Sequence, residues 1–403
     1  MKRVFLILLL MICIVFQLKA QEDSEMKYHR SSLYSVMINH EGREFGKEIR
    51  DVFINLPTPD KYNNHDLSVK IINTPEKKID NDHIAIDEFI KNNGIASRMV
   101  ARWFNRDYKT GVCDVELIKE RGLYNASELD KAVAAQTLRG NSMLEDAGED
   151  LIGHTFLIVN DIRYIDRSKG SGVIGAITKV TGAVATVATG ETSFMDMGLS
   201  TGNLIETYKG FKVNIDTYLY QLEWDEETAN KFYTDYYTSS PDENKVNAFN
   251  QNRKMFKLKY VGSQQSDGSN KSFIGINLDE PQQMVRKACQ RAIDENVANL
   301  QKNYEQFKVK TPLFSVSPLK AYIGLKEGIT EKSKFEVLEV EMTEEGKYKY
   351  KRVGVIKPME NLIWDNRYMA KEEQAYGSDF GYTTFRKISG GDFYPGMLIR
   401  EIE

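Results

Sequence analysis

Two apolar segments separated by a long stretch of chain place the strongest constraint on the fold. Residues 211–224 alternate between apolar and polar side chains, as a half-buried strand does. Residues 155–165 begin apolar on both faces and become polar on one face at Asp161 and Arg163, which is typical of a strand that is buried at first. We expect the two strands to pair antiparallel as a hairpin, through Phe156, Ile158, Val213 and Ile215.

The chain between these strands contains a run of small residues, GVIGAITKVTGAVATVATG, from Gly172 to Gly190. A Walker loop would need Gly-Lys-Ser/Thr at the start of a helix, whereas Lys179 is followed by Val180. The spacing GSGVIG at 170–175 matches a dinucleotide fingerprint. However, Gly and Thr break the segment after it, and no acidic residue closes a parallel unit beyond it. Both phosphate-binding interpretations are therefore disfavoured.

An insertion at the hairpin tip, residues 168–208, explains the run better. Two interpretations stay open. The run is either a small-residue helical segment, packed on its own domain or on a neighbouring subunit, or it contacts a membrane. The candidate contact residues are Val173, Ile174, Ile177, Val180, Val184 and Val187.

The amino terminus predicts export. Lys2 and Arg3 precede the apolar run VFLILLLMICIVF, which is too short to span a bilayer comfortably, and Ala20 provides a small residue at a cleavage site. Cys13 lies within the apolar run and lacks the small residues that precede a lipidated cysteine. We therefore predict a cleavable signal peptide at residues 1–20 and a periplasmic or outer-membrane-associated mature protein.

Several further elements follow from periodicity. DVFIN and LSVKII are predicted as short strands, and residues 83–104 carry a helical stripe that Gly94 divides or kinks. A helix is expected from Asn125 or Ser127 to Leu151. KMFKLKYVG alternates as a third strand after the hairpin. A long helix with Pro281 in its first turn is expected to end near Phe307.

The predicted order over residues 45–308 is strand, helix, strand, helix, three strands and helix. This order, together with ER in LIKERGLYNAS leading into the second helix, resembles the periplasmic α/β domain of the curli secretion channel family, the amino-terminal domain of TolB and the middle domain of flagellar assembly protein T. The resemblance implies an α/β sandwich with a hairpin after the second helix. In the curli secretion family an element of this domain lengthens into membrane-crossing hairpins, which implies possible membrane contact here.

The tail at residues 309–403 is predicted to be a separate small β-barrel. KFEVLEVEM, KYKYKRVGVIKP and MLIREIE alternate as strands, and turn signals such as TEEG and SGGDFYPGM separate them. The pattern is similar to the SH3-like barrel that follows the α/β domain in flagellar assembly protein T. The predicted class is therefore α+β: a sandwich domain with a mixed sheet and long helices, a barrel, and an N-terminal extension at 21–44.

Composition argues against nucleic acid as a partner, and it leaves open whether the two remaining cysteines form a disulfide. The net charge of −4 argues against a dedicated nucleic-acid binder, which normally carries a basic domain. Cys113 and Cys289 remain after cleavage of the signal peptide, and the sequence allows either one disulfide or two buried thiols.

Apart from GSGVIG, no group of residues has the spacing of a known catalytic, cofactor or metal site. The five histidines form no i, i+4 pair, and IDNDHIAIDE lacks the central glycine of a calcium loop. The carboxylates of LEDAGED are interpreted as a solvated helix face. Trp364 with its neighbours Asp365 and Asn366, and the tyrosines of FYTDYYTSS, are candidates for glycan or partner contact, but packing in the core or at its rim is the preferred interpretation.

Two classes of function remain. The first is a non-enzymatic envelope protein, without cofactor, that assembles, scaffolds or supports secretion through an envelope partner or self-association. The second is a periplasmic glycan- or peptide-binding protein or hydrolase. Convergent carboxylates in an aromatic-lined cleft would favour the second class.

Overall fold

The computed structural model describes residues 32–59, 70–74, 83–118, 151–165, 211–269, 281–308, 310–342, 348–370 and 381–402. The strands are β1 (Ser32–His40), β2 (Ile71–Thr74), β3 (Thr155–Tyr164), β4 (Lys212–Leu222), β5 (Leu258–Ser269), β6 (Thr311–Val316), β7 (Leu319–Ala321), β8 (Phe335–Met342), β9 (Tyr348–Pro358), β10 (Thr383–Gly390) and β11 (Leu398–Glu401). The helices are α1 (Gly46–Ile54), α2 (His83–Asn92), α3 (Ile95–Trp103), α4 (Glu226–Asp235), α5 (Glu243–Gln251) and α6 (Pro281–Asn303).

The first five strands form a mixed sheet in the order β2-β1-β3-β4-β5. β1 runs parallel to β2 and β3, whereas β3, β4 and β5 pair antiparallel. The predicted α+β composition and mixed sheet are therefore confirmed, as is the antiparallel pairing of the strands at 155–165 and 211–224. Their register places Ile162 opposite Ile215 and Phe156 opposite Gln221.

Helices cover both faces of this sheet. On the first face, Phe156 and Val213 pack in one core cluster with residues of α1 and α6, such as Val52 and Val285. On the second face, Leu157 packs in another cluster with residues of α2 to α5. Because both faces are covered, the central strands bury the side chains on both of their faces.

β1 lies in the stretch 21–44, before residue 45, where the sequence analysis begins the α/β domain. Its neighbouring residues Leu33 and Tyr34 are both buried, one in each core cluster. A strand buried on both faces has no polar alternation to identify it, and this explains why the pattern did not assign it.

The prediction of a strand at DVFIN is wrong, because Gly46–Ile54 is the helix α1. Ile49, Val52 and Phe53 are buried and lie three and four residues apart, which places them on one helix face. In a segment this short, helical and strand patterns are hard to distinguish by apolar spacing alone.

The prediction of three consecutive strands is also wrong, because α4 and α5 lie between β4 and β5. Each helix buries a single phenylalanine, Phe232 or Phe249, so neither carries a strong apolar stripe. Their N-caps were visible signals: the Asp225 side chain accepts from the Thr228 N–H at 2.8 Å, and Asp242 accepts from the Lys245 N–H at 3.1 Å.

A chain of hydrogen bonds between side chains crosses the first face under α6. Asn296 Nδ2 donates to Thr217 Oγ1 at 2.8 Å, Thr217 donates to Asn160 Oδ1 at 2.8 Å, and Asn160 Nδ2 donates to Ser35 Oγ at 3.1 Å. Asn160, Thr217 and Asn296 are each fully buried. This polar chain ties α6, β4, β3 and β1 to a single register.

Cys113 and Cys289 are both free and buried, so the alternative of two buried thiols is the correct one. Cys289 belongs to the cluster on the first face of the sheet and Cys113 to the cluster on the second. Burial raises the pKa of both thiols, that of Cys289 to about 12, and each is therefore protonated at neutral pH.

The remaining strands close a barrel in the order β10-β7-β6-β11-β8-β9. The small barrel predicted for the tail is confirmed, with six strands. β8, β9 and β11 fall on the three predicted segments. Its core includes Leu313, Val337, Ile356 and Phe385.

Candidate functional site at the polar end of the sheet

The second face of the sheet becomes charged at the end where β1 and β3 finish. We call His40, Arg43, Asp161, Arg163 and Asp216 the sheet-end cluster. His40 ends β1, Asp161 lies in β3 and Asp216 in β4, and these three residues are 5%, 3% and 7% exposed. Ionisable groups this buried normally require partners.

The two carboxylates of the cluster face each other. Asp161 and Asp216 are direct register partners in the antiparallel pair β3–β4, and both project from the second face. Like charges directly opposite each other destabilise a strand pair. Such a pair persists only where other groups compensate the charge.

Arginines supply this compensation. Arg43, just after β1, donates to both oxygens of Asp161 through Nη1 and Nη2, the Nη2–Oδ2 bond being 3.2 Å long. Arg163, two residues after Asp161, donates through Nη2 to Asp216 Oδ2. Gln265 Nε2 of β5 donates to the other oxygen, Asp216 Oδ1, at 2.7 Å. Each buried carboxylate therefore has its own guanidinium partner.

The cluster perturbs the titration of two groups. Burial raises the pKa of Asp216, and the nearby Arg163 cation only partly reverses this effect. Burial and the charges of Asp216 and Asp161 raise the pKa of Tyr218, on the same face, to about 12. The Tyr218 hydroxyl therefore stays protonated at neutral pH.

His40 adds a pH-dependent contact. Its Nε2 lies 3.4 Å from Asp161 Oδ1, on the same carboxylate that Arg43 binds. This contact is an ion pair only when the imidazole is protonated.

The polar surface continues from the cluster to the edge of the sheet. Asn214 of β4 accepts from Arg163 Nη2 at 3.2 Å and donates to Asp267 of β5 at 2.9 Å. Asp267 also forms an ion pair with Lys212. Hydrogen bonds and an ion pair therefore connect β3, β4 and β5 on this face.

In this geometry each carboxylate of the cluster is bound by an arginine, and neither carboxylate is left exposed to react. An arginine-bound carboxylate can transfer a proton only by giving up its ion pair, which is costly at a buried position. Within the described ranges, no group of three or more His, Cys, Asp or Glu side chains has an arrangement that could hold a metal ion. The cluster therefore links β1, β3, β4 and β5 through its side chains.

Several residues singled out in the sequence make contacts within the chain. Phe232 and Tyr236 of FYTDYYTSS are buried in the core on the second face. The Trp364 carbonyl accepts from the Leu325 N–H at 2.9 Å, and Asn366 bonds to Glu327 at 2.8 Å. His83 stacks on Tyr260, with ring centroids 4.5 Å apart.

Other predicted residues fall outside the described ranges. These are the six candidate contact residues Val173, Ile174, Ile177, Val180, Val184 and Val187, the insertion 168–208, the carboxylates of LEDAGED, the helix expected after Asn125, and the signal peptide. None of the helices in the part of the chain that is described is both long and apolar enough to cross a membrane.

No protein-family model matches the chain, and no curated protein matches it.

Proposed function

We propose that the chain is a non-enzymatic exported protein of the cell envelope that acts in assembly, scaffolding or secretion through contacts with other proteins. The observation that carries this proposal is the pairing of Asp161 and Asp216 with separate arginines. The two buried carboxylates are thereby engaged by side chains of the same chain. The predicted signal peptide supports the location.

The connection between the two domains also suits a scaffold. α6 ends at Asn303 and is followed by a 3-10 turn, Glu305–Phe307, whose Phe307 packs against Phe156 at a centroid distance of 4.8 Å. Lys302 Nζ donates to the Gly328 carbonyl at 2.7 Å, and Arg400 of the barrel bonds to Glu305 at 2.5 Å. These contacts fix the barrel against the sheet domain, so partners on both would be held at a set distance.

Complementation of a deletion strain tests the non-enzymatic part of the proposal. Asp216→Asn keeps the shape of the side chain and removes its charge, so a scaffold should retain wild-type complementation at equal protein abundance. Conversion of Tyr108 or Tyr394, which are 74% and 40% exposed, to a photo-crosslinking residue should give discrete protein adducts in cells. Loss of complementation by a folded Asp216→Asn protein, or the absence of adducts from both positions, would contradict the proposal.

A periplasmic glycan- or peptide-binding protein or hydrolase is the second candidate. It is favoured by the opposed carboxylates, since Asp216 has a raised pKa and Asp161 lies directly across from it. Incubation of the purified chain with peptidoglycan or with a peptide library tests it. Product release by the wild-type chain that Asp216→Asn abolishes would establish this candidate over the first.

A further inference from the structure

Three cations lie together on the outer face of the barrel. β10 lies between β7 and β9, and its register places Arg386 directly opposite Lys357 of β9 and Thr384 opposite Lys320 of β7. Each of the three cations is the neighbour of a barrel-core residue along its strand, so all three project outward. We call Lys320, Lys357 and Arg386 the barrel cations.

Arg386 and Lys357 form a like-charged pair across two strands. Like charges directly opposite each other destabilise an antiparallel pair. At another position in the barrel the register opposes unlike charges, since Glu336 lies opposite Arg400 and forms an ion pair with it at 2.6 Å. Within the described ranges the side chains of Arg386 and Lys357 form no ion pair and no hydrogen bond. No carboxylate of the described chain therefore compensates this pair.

The third cation is held in place without being neutralised. Lys320 Nζ lies 4.1 Å from the centroid of the Tyr382 ring and donates to the Tyr382 hydroxyl at 3.0 Å. These contacts orient the ammonium group and leave its charge in place. Thr384, the register partner of Lys320, is two residues before Arg386, so Lys320 and Arg386 are diagonal neighbours. Diagonal neighbours lie about 7–8 Å apart, which brings the three charges into one patch.

Apolar groups border the barrel cations on the same face. Met359 lies two residues after Lys357 and is 37% exposed. Phe314 stacks on Tyr322 with ring centroids 4.2 Å apart, and its centroid is 5.6 Å from that of Tyr382. Cations beside an exposed methionine match a ligand in which carboxylates and apolar side chains occur together.

Resting on the proposed function and naming the class of its partner, we infer that the barrel cations bind an acidic segment of a partner protein. Aspartate or glutamate side chains of that segment pair with the cations, and its apolar side chains pack on Met359. A guanidinium binds a carboxylate through two parallel hydrogen bonds, so Arg386 is the central contact. The six strands form a closed barrel, which has no strand edge, so the segment is bound through side chains.

Other anionic partners fit this face less well. A nucleic-acid base binds an aromatic ring by stacking on it, whereas Phe314 and Tyr322 stack on each other and Lys320 lies over Tyr382. Attachment to an anionic membrane typically uses a cluster of about four to eight basic residues. The barrel cations are fewer, on a chain with a net charge of −4. A short acidic protein segment needs neither an open ring nor a large basic cluster.

Fluorescence anisotropy with a labelled peptide tests the surface. The probe is a peptide of repeated Glu-Glu-Leu-Gly, and the matched control peptide has Gln in place of each Glu. The full chain without its predicted signal peptide should bind the glutamate peptide and not the glutamine peptide. This binding should weaken as the salt concentration rises from about 0.05 to 0.5 M, because ions screen exposed charges.

Substitutions of the barrel cations test the assignment. Arg386→Gln combined with Lys357→Gln should weaken peptide binding about three- to tenfold. Lys254→Gln combined with Lys257→Gln changes the net charge equally at exposed positions of the sheet domain and should leave the affinity unchanged. Arg386→Glu places opposite charges across the two strands, so it should weaken binding while raising the thermal unfolding midpoint by about 1–5 °C. A loss of binding by this variant therefore cannot come from unfolding.

The outcomes separate this inference from the proposed function. Equal affinity for the two peptides, or unchanged affinity of the Arg386→Gln, Lys357→Gln variant, would overturn the inference. Binding of phosphatidylglycerol vesicles or polygalacturonate without binding of the peptide would also overturn it, because the occupant would then be a lipid or a glycan. If peptide binding fails while Tyr108 or Tyr394 gives protein adducts in cells, the scaffold proposal stands and the inference falls. Peptide binding that depends on the barrel cations, without such adducts, would support the inference and count against the scaffold proposal.

Discussion

Removal of one hydroxyl from the polar chain under α6 should destabilise the sheet domain more than its size suggests. Thr217 Oγ1 accepts from Asn296 at 2.8 Å and donates to Asn160 Oδ1 at 2.8 Å, with all three residues fully buried. Thr217→Val keeps the volume and removes both bonds. Asn296 Nδ2 still donates to the Ile215 carbonyl at 3.0 Å, so Asn160 Oδ1 is the group that loses its Thr217 donor.

The expected loss of stability follows from the unsatisfied acceptor Asn160 Oδ1. An unsatisfied buried polar group costs about 1–3 kcal/mol, and no cavity adds to this because valine fills the space of threonine. We therefore expect Thr217→Val to lower the free energy of unfolding by about 2 kcal/mol. Thr217→Ser keeps the hydroxyl and loses one methyl, so it should cost about 1 kcal/mol.

Urea unfolding followed by far-ultraviolet circular dichroism measures both variants. A barrel that unfolds separately gives its own transition, and only the transition of the sheet domain should move. If hydrophobic burial governed this position, Thr217→Val would be as stable as the wild type or more stable, and Thr217→Ser would be the weaker variant. That ranking would refute the hydrogen-bond argument.

Two further predictions concern β5 and the sheet-end cluster. Gly268→Ala should lower the free energy of unfolding by more than ~3 kcal/mol, because the new Cβ would clash with the Ala288 backbone. Gly46→Ala should be neutral or stabilising, because its Cβ would lie 3.6 Å from the nearest atom, Arg43 Cβ. Equal thermal midpoints for the two variants would contradict this prediction. The raised pKa of Asp216 means that its charge opposes folding, so stability is lost as the pH rises through the folded pKa, above the ordinary value of 3.8. Asp216→Asn should therefore gain stability relative to the wild type between pH 3 and pH 7 in urea titrations, and a difference independent of pH would count against the raised pKa.

The elements predicted correctly contain an alternating segment or a clear interruption. β4 alternates, and Gly94, with a φ of 60°, separates α2 from α3 at the predicted break. The sequence pattern leaves β1 unassigned because β1 is buried on both faces, and it predicts a strand in place of α1 because α1 is only nine residues long. The spacing of apolar residues therefore identifies β4 and the break between α2 and α3, but it does not identify β1 or α1.

The candidate site was visible in part. The sequence shows one face of β3 turning polar at Asp161 and Arg163. Their partners depend on register: Asp216 is opposite Asp161 only because β3 and β4 pair as they do, and Arg43 arrives through the parallel pairing of β1. No local pattern encodes these contacts, because more than a hundred residues separate Arg43 from Asp161.

The joint between the domains leads to a final prediction, which rests on unequal burial of two carboxylates. Arg400 bonds to Glu336 and to Glu305, each through an oxygen 2.6 Å or 2.5 Å away. The Glu336 side chain is 8% exposed and that of Glu305 is 63% exposed. Arg400→Met would leave a buried carboxylate without its cation, which costs about 3–5 kcal/mol.

Glu305→Gln removes only the solvent-exposed ion pair between Arg400 and Glu305, so it should change the free energy of unfolding by less than about 0.5 kcal/mol. Glu336→Gln combined with Arg400→Met should recover much of the loss, because the stranded charge is then gone and the two substitutions act on one contact. Thermal unfolding of the four proteins gives the ranking. If Arg400→Met and Glu305→Gln were equally mild, water would have to reach Glu336, and the barrel could not be held against the turn Glu305–Phe307 as closely as the contacts of Arg400 require.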